Sequence, residues 1–443
     1  MTLKERDKKY IWHPFDQMKG SDILPISRGD GAYVYDEENN RYIDGFSSWW
    51  VNGHGHSNPY IAQRIYEQMN TLEHVAFGGF THKPAVDLAE TIVNITPDDI
   101  KKVFFSDNGS TANEVAIKMS MQYWFNKGEK RNKFIAFEGA YHGDTFGSMC
   151  VTARGGFNEP FEHFMFDVDF IPLPTIENFD LVVSEFTSLI EKDDICAFIF
   201  EPLVQGASGM NMYSPASLSK LIKIAKQHNV LTIADEVFTG FGRTGSWFAS
   251  DYLNEKPDIM CLSKTVTGGF LPLGLTAVNE LVFNAFYSDE QKHTFLHGHS
   301  YTGNPLCCAS ANAALELMHK DEFWPKLKGI ENRISYHISR LKTHDFVRDV
   351  RCIGTIGAIE VDRGGKSSYF NDSGKEIYKK LLKKGVILRP LGNVFPVVVP
   401  YCIQENDIDH IFNSLEEILN NNCLLYTSPS PRDRSISRMP SSA

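Results

Sequence analysis

The chain has 443 residues, 42% apolar and 22% charged, with 44 lysines and arginines against 55 aspartates and glutamates and a formal charge of −11. That length suits a large α/β body with a smaller partner and leaves ample chain for a buried core. The acidic balance disfavours nucleic-acid and anionic-membrane partners, and an aromatic content of 12% argues against general disorder.

The opening MTLKERDKKY is charged and leads into no apolar signal core, and no run reaches the ~18 apolar residues of a membrane span. The eight cysteines contain no C-x-x-C pair. A cytoplasmic protein with reduced thiols is expected.

Residues 1–65 are assigned to the first part of a smaller domain and 66–318 to a large one. Through the large domain, apolar runs of strand length alternate with helical patterns. The runs are VFF at 103–105, FIAF at 134–137, CAFIF at 196–200, VLTIA at 230–234, IMCL at 259–262 and LGLTAV at 273–278. Continuous apolar runs are what burial on both faces of a parallel sheet under crossover helices requires. The expected fold class is therefore α/β, with a mostly parallel central sheet.

After about Lys320 the pattern changes to a long amphipathic helix, then strands around VRDVRCIGTIGAIEV and VILRP, then two more helices. This stretch, 319–423, is expected to complete the smaller α+β domain, built from both chain ends. From Leu424 the chain turns to LLYTSPSPRDRSISRMPSSA, rich in Ser, Pro and Arg and without apolar periodicity. Residues 424–443 are expected to be a non-native or disordered tail.

Open α/β sheets bind ligands beyond the carboxyl ends of their strands, so the residues after each run are where chemistry is sought. After VFF, Gly109 and Ser110 in SDNGSTA open a helix whose N-terminus suits a phosphate, although an ordinary N-cap looks the same. After FIAF, Tyr141 and His142 stand between Gly139 and Gly143, where a flat ring can cover a planar cofactor or simply fill a loop. After CAFIF comes Glu201, a carboxylate at a buried edge.

After VLTIA stands Asp235, followed by Glu236 and Val237; a carboxylate there is costly without a cationic partner. After IMCL comes Lys264, whose ammonium desolvation would disfavour, as in a Schiff-base nucleophile. A plain Asp235–Lys264 ion pair is the simpler alternative. An anion cradle, a flat aromatic, a carboxylate and an amine on one edge are together what pyridoxal 5′-phosphate requires.

These residues also carry a family resemblance. SSWW, GGFTHKPAVDLAE, SDNGSTANEVAIKM, GAYHGDTFGS, EPLVQGASGM, IADEVFTGFGRTG, LSKTVTGGFLPLG, HGHSYTGNPL and GVILRPLG follow in order and spacing. From about Ile11 to Leu419 the chain resembles the class III, fold type I aminotransferases dependent on pyridoxal phosphate. The resemblance implies that Lys264 forms the internal aldimine and shuttles a proton, and that Asp235 keeps the ring nitrogen protonated. It implies a phosphate cradle at Gly109 and Ser110, with Tyr141 and Val237 on the two ring faces and His142 beside them.

Ser300, after His297, Gly298 and His299, matches a hydroxyl that reaches the phosphate from a neighbouring subunit, so a homodimer is implied. Trp49 and Trp50 match substrate-pocket aromatics, with Phe15, Tyr141 and Gly298 also at the substrate, and Arg389 matches the arginine that takes a substrate carboxylate. Within the family, the likeness to the biotin-synthesis branch implies 8-amino-7-oxononanoate as acceptor and S-adenosylmethionine as donor. Lysine as donor, or an ω-amino acid or diamine substrate, is the alternative.

Three positions depart from the family pattern. Phe15 stands where a tyrosine is often found in adenosylmethionine-using enzymes, Pro396 stands where an aromatic is frequent, and HGHSYTGN is closer to the lysine-using branch.

A G-x-G-x-x-G occurs at Gly240, Gly242 and Gly245 but lacks a clear crossover helix and a suitable acidic residue about 20 positions on, so a dinucleotide site is disfavoured. Arg243 within it is expected to line the substrate pocket or brace the loop. His54 with His56, and His297 with His299, lack carboxylate or thiol company at zinc spacing, so no metal site is expected.

Overall fold

The computed structural model describes residues 1–97, 99–362 and 373–422; the tail assigned to 424–443 lies outside the described residues. Strands are numbered in chain order. Near the N-terminus are β1 Ile26–Asp30, β2 Tyr33–Asp36 and β3 Arg41–Asp44. The middle of the chain holds β4 Ile100–Ser106, β5 Lys133–Phe137, β6 Val168–Ile171, β7 Ile195–Phe200, β8 Val204–Gln205, β9 Asn211–Met212, β10 Leu231–Asp235, β11 Ile259–Leu262 and β12 Gly274–Asn279. Beyond them come β13 Val347–Ile353, β14 Ile356–Val361, β15 Val386–Ile387 and β16 Val394–Val398.

All six expected apolar runs enter one sheet, in the order β4-β12-β11-β10-β7-β5-β6. From β11 to β6 every pairing is parallel. Every residue of β7, β10 and β11 is buried, because helices cover both faces. Side chains alternate between two apolar clusters: Phe198, Phe200 and Ala234 enter one, and Ala197, Ile199 and Ile233 the other. The α/β reading with a mostly parallel sheet therefore holds.

Two strands correct the sequence expectation. β12 runs antiparallel to both β11 and β4, since apolar continuity reports burial on two faces and carries no direction. β6, at the sheet edge, is only half-buried and includes Asp169, so its run lacked the apolar signature of its neighbours.

The C-terminal order is also different from that expected. A helix at Phe323–Leu341 leads into β13 and β14, but the helix Ser373–Lys383 then precedes the short β15 of the VILRP run. The GNVFPVVVPY stretch forms β16, with Pro396 opposite Ala358 of β14. β16 is an edge strand of the sheet β13-β14-β16, where a residue without an N–H is tolerated. The helix Glu405–Asn422 follows. β15 pairs with β3, so both ends of the chain share the sheet β1-β2-β3-β15. Ile43, Ile338, Leu381, Phe395 and Phe412 form an apolar cluster around these elements. Among the described residues, no helix is long and apolar enough to cross a membrane.

Candidate active site

The strand ends converge on a cavity of about 520 Å³, lined among others by Gly109, Ser110, Tyr141, His142, Asp235, Val237 and Lys264. The residues that follow β4, β5, β10 and β11 thus meet, as the switch from strand to loop at one sheet edge requires.

Gly109 begins the helix Gly109–Asn126, and the Asn108 side chain accepts the Thr111 N–H at 3.0 Å. The N–H groups of Gly109 and Ser110 precede the intrahelical ladder and keep their donor capacity, which makes an anion site. A Cβ on Gly109 would come within 2.6 Å of Val237 Cγ1, so only glycine lets this helix start approach the valine. Gly143 is equally constrained: its φ is +125° and a Cβ there would strike the Ser110 hydroxyl.

Asp235 ends β10 with 4% exposure, and both of its oxygens have partners. Its Oδ2 accepts from Asn113 Nδ2 at 2.8 Å and lies 2.8 Å from His142 Nδ1, while its Oδ1 accepts the Val237 N–H at 3.1 Å. His142 Nε2 is buried without a partner. Three contacts hold this carboxylate at the cavity wall, and Lys264 is not one of them. The simple Asp235–Lys264 ion pair is therefore absent.

Lys264 follows β11 with a φ of +47° and is half-buried, its side chain lining the cavity. Burial pushes its amine below the usual lysine range, against the opposing pull of Asp235 and Glu201. Its Nζ stands 5.5 Å from the centre of the Trp50 ring. Tyr141 donates its N–H to Glu201 Oε1 at 3.1 Å and its hydroxyl to Asp144 Oδ2 at 2.8 Å.

Glu201 was legible as a buried-edge carboxylate but without a role. Both its oxygens are used, the second by the Gly206 N–H at 2.8 Å. Burial pushes its carboxyl up to about 7. Asn113 and Phe157, which also line the cavity, went unnoticed. Asn113 sits one helical turn after Gly109, a spacing that offers a signal in retrospect.

Phe15, Trp49 and Trp50 line the apolar side of the cavity. The Phe15 and Trp49 rings are 5.4 Å apart, and Trp50 packs on Phe238 at 4.5 Å. Arg389 stacks on Trp49, its guanidinium carbon 4.6 Å from the ring centre, and pairs with Asp16 at 3.3 Å. Arg243 does not line the cavity. It is wholly buried and donates to the carbonyls of Val399 at 2.8 Å and Trp50 at 3.1 Å, so of its two expected roles the bracing one corresponds to its position. Gly298 and Ser300 lie outside the cavity lining on an exposed loop.

Residues 16–419 match the family model described as aminotransferase class-III. The chain is 43% identical to the adenosylmethionine-8-amino-7-oxononanoate aminotransferase of Synechococcus elongatus, over 93% of this chain and 98% of that one. It is 36% identical to the Staphylococcus aureus protein of the same name, over 95% and 97%. Among solved structures, the adenosylmethionine-8-amino-7-oxononanoate aminotransferase of Methanocaldococcus jannaschii superposes with a TM-score of 0.90 at 37% identity, covering 95% of this chain and 98% of that one. The omega transaminase of Pseudomonas jessenii in complex with PMP gives 0.90 at 26% identity, covering 96% and 99%.

Proposed function

Because the chain belongs to the class III aminotransferases, we propose that it transfers an amino group from S-adenosylmethionine to 8-amino-7-oxononanoate. Exchanging the 7-oxo group for an amine yields 7,8-diaminononanoate, the step that the biotin-synthesis resemblance implies. The compounds are those named for relatives up to 43% identical along nearly the whole chain. Lysine is the alternative donor, favoured by the HGHSYTGN loop and by the missing hydroxyl at Phe15.

The cofactor is pyridoxal 5′-phosphate, and the residues present fit it. The observation that carries the reading is a half-buried, desolvated lysine, Lys264, lining the same cavity as the thrice-held carboxylate of Asp235. A helix start where glycine is obligatory and the partnerless His142 Nε2 agree with a polar planar guest. When bound, the cofactor supplies an aldehyde for amine exchange and a ring that draws electrons from the amine's α-carbon.

The N–H groups of Gly109 and Ser110 would hold the phosphate, and Tyr141 and Val237 would take the two ring faces. Asp235, kept in place by Asn113 and His142, would hold a proton at the ring nitrogen. Lys264, made less basic by burial, has more of its neutral form at working pH and would move the proton at the substrate α-carbon. Phe15, Trp49 and Trp50 would exclude water from an aliphatic chain, with the Arg389 fork receiving its carboxylate.

A cytoplasmic homodimer completes this reading. The exposed loop at Gly298 and Ser300 would enter a second subunit's site, and Cys150, Cys196, Cys261 and Cys308 are buried as free thiols.

The test is a visible absorbance spectrum of the cofactor-loaded protein with the keto acid withheld, before and after S-adenosylmethionine or, separately, lysine. Bleaching by S-adenosylmethionine is expected. Bleaching by lysine alone would transfer the assignment to the other donor, and no visible band after loading would overturn the reading.

A further inference from the structure

The four residues Ser47, Ser48, Trp49 and Trp50 have φ values of 50°, 46°, 68° and 69°. Each is left-handed and none is glycine, a sequence of conformations that L-residues resist because Cβ crowds the following carbonyl. Such a segment persists only where its surroundings hold it, and it commonly marks a functional site. Here the segment carries the two tryptophans that line the cavity.

The holding groups are identifiable. Asp44, 1% exposed, ends β3 three residues before the turn. Its Oδ1 accepts the Ser48 N–H at 3.0 Å and its Oδ2 accepts the Ser48 hydroxyl at 2.8 Å, with His56 Nε2 2.9 Å from the same oxygen. Ser47 donates its hydroxyl to the Val398 carbonyl at 2.7 Å, tying the turn to β16. At the far end, the Trp50 carbonyl accepts from Arg243 Nη2 at 3.1 Å and from Thr265 Oγ1 at 3.2 Å. Thr265 directly follows Lys264, so one carbonyl joins the tryptophan turn to the lysine loop.

A right-handed or extended path through the same four residues would turn both rings away from their present places. Ser48 thus donates both its N–H and its hydroxyl to one buried carboxylate, directly before the two tryptophans.

We propose that Asp44 is a positioning residue for the amino-acceptor pocket. Its carboxylate keeps Ser48 left-handed, and Ser48 in turn sets Trp49 and Trp50 as the apolar wall along which the acceptor chain lies. Arg243 anchors the other end of the same turn. The acceptor half of this inference rests on the aminotransferase reading; the conformational half does not.

The test compares cofactor-loaded wild type, Asp44→Ala and Asp44→Ala/Ser48→Gly. Glycine adopts φ near +46° without strain and brings no hydroxyl that needs the carboxylate, so it replaces the conformational role of Asp44 and nothing else. Near-UV circular dichroism reads the tryptophan environment independently of turnover, and far-UV circular dichroism reads the fold. Asp44→Ala is expected to change the near-UV tryptophan bands with the far-UV spectrum kept. The acceptor KM should rise about tenfold, with kcat falling less. The glycine double variant should recover the near-UV bands and most of the KM.

Unchanged near-UV bands in Asp44→Ala would overturn the proposal, as would bands that change without recovery by glycine. An acceptor KM unchanged beside altered bands would overturn the pocket role. If Asp44→Ala does not fold, Asp44→Asn and Asp44→Asn/Ser48→Gly carry the same comparison. Should the wild type turn over none of the proposed substrates, the functional reading fails, and the near-UV comparison still decides the role of Asp44 in the turn.

Discussion

The Oδ2 oxygen of Asp235 lies 2.8 Å from Nδ1 of His142, 93 residues earlier in the chain, and both groups are buried. This contact and the Asn113 amide bond hold a carboxylate against the cavity without involving Lys264. Asp235→Asn is expected to lower turnover by two or more orders of magnitude, on the order of 3 kcal/mol of transition-state stabilisation. Steady-state rates decide it, with cofactor content measured alongside. An Asn variant within a few-fold of wild type would remove Asp235 from the proposed proton-holding role.

Lys264→Ala should fold and retain the cofactor weakly while losing transamination. In the cofactor-free protein the same replacement removes an amine whose pKa is depressed by desolvation. A depressed lysine penalises the folded state most below its folded pKa, and the penalty fades as pH rises towards the ordinary value. The stability difference between Lys264→Ala and wild type should therefore move in wild type's favour as pH rises towards the ordinary lysine value of 10.5. Measurable steady-state transamination by the variant would refute the assigned role.

Glu201 gives a second pH test, of opposite sign. Its carboxyl is raised to about 7 by burial, so the folded state binds the extra proton in the window between the ordinary carboxyl value and about 7. Its contribution to stability is complete below that window and is lost as pH rises through 7. Glu201→Gln, which cannot ionise, should gain melting temperature relative to wild type between pH 5 and pH 8. A difference independent of pH would show that Glu201 does not titrate there.

Arg389→Ala should raise the acceptor KM about tenfold or more and the donor KM far less, because a bidentate guanidinium is removed from the expected carboxylate end. Equal effects on both substrates would sink the assignment and leave Arg389 as the partner of Asp16 and Trp49 seen here.

Gly109→Ala should weaken cofactor binding about tenfold, since the new Cβ would meet Val237 and push the helix start away from its anion. Titration of the cofactor into stripped protein reads this directly. An unchanged dissociation constant would mean that the helix start is not the phosphate cradle.

Much of this architecture was readable from local pattern. Central strands buried on both faces must be continuously apolar, which is why CAFIF, VLTIA and IMCL were found within a residue of β7, β10 and β11. The rule that ligands gather at the carboxyl ends of strands then pointed to Gly109, Tyr141, Asp235 and Lys264, which do line one cavity. The half-buried β6 lacked that continuity, and the GNVFPVVVPY stretch was given no strand, although its proline sits in an edge strand that accommodates it.

The sequence by itself determined the element types of the core and the side chains presented at its edge, because both follow from short-range periodicity and from where each apolar run stops. Only the tertiary structure decided the direction of β12, the bracing place of Arg243 and the left-handed turn at Ser47–Trp50. The physical reason is range. Arg243 meets the Trp50 carbonyl across 193 residues and Ser47 meets Val398 across 351. A conformation that four non-glycine residues resist locally is stable only where such distant groups supply the bonds that hold it.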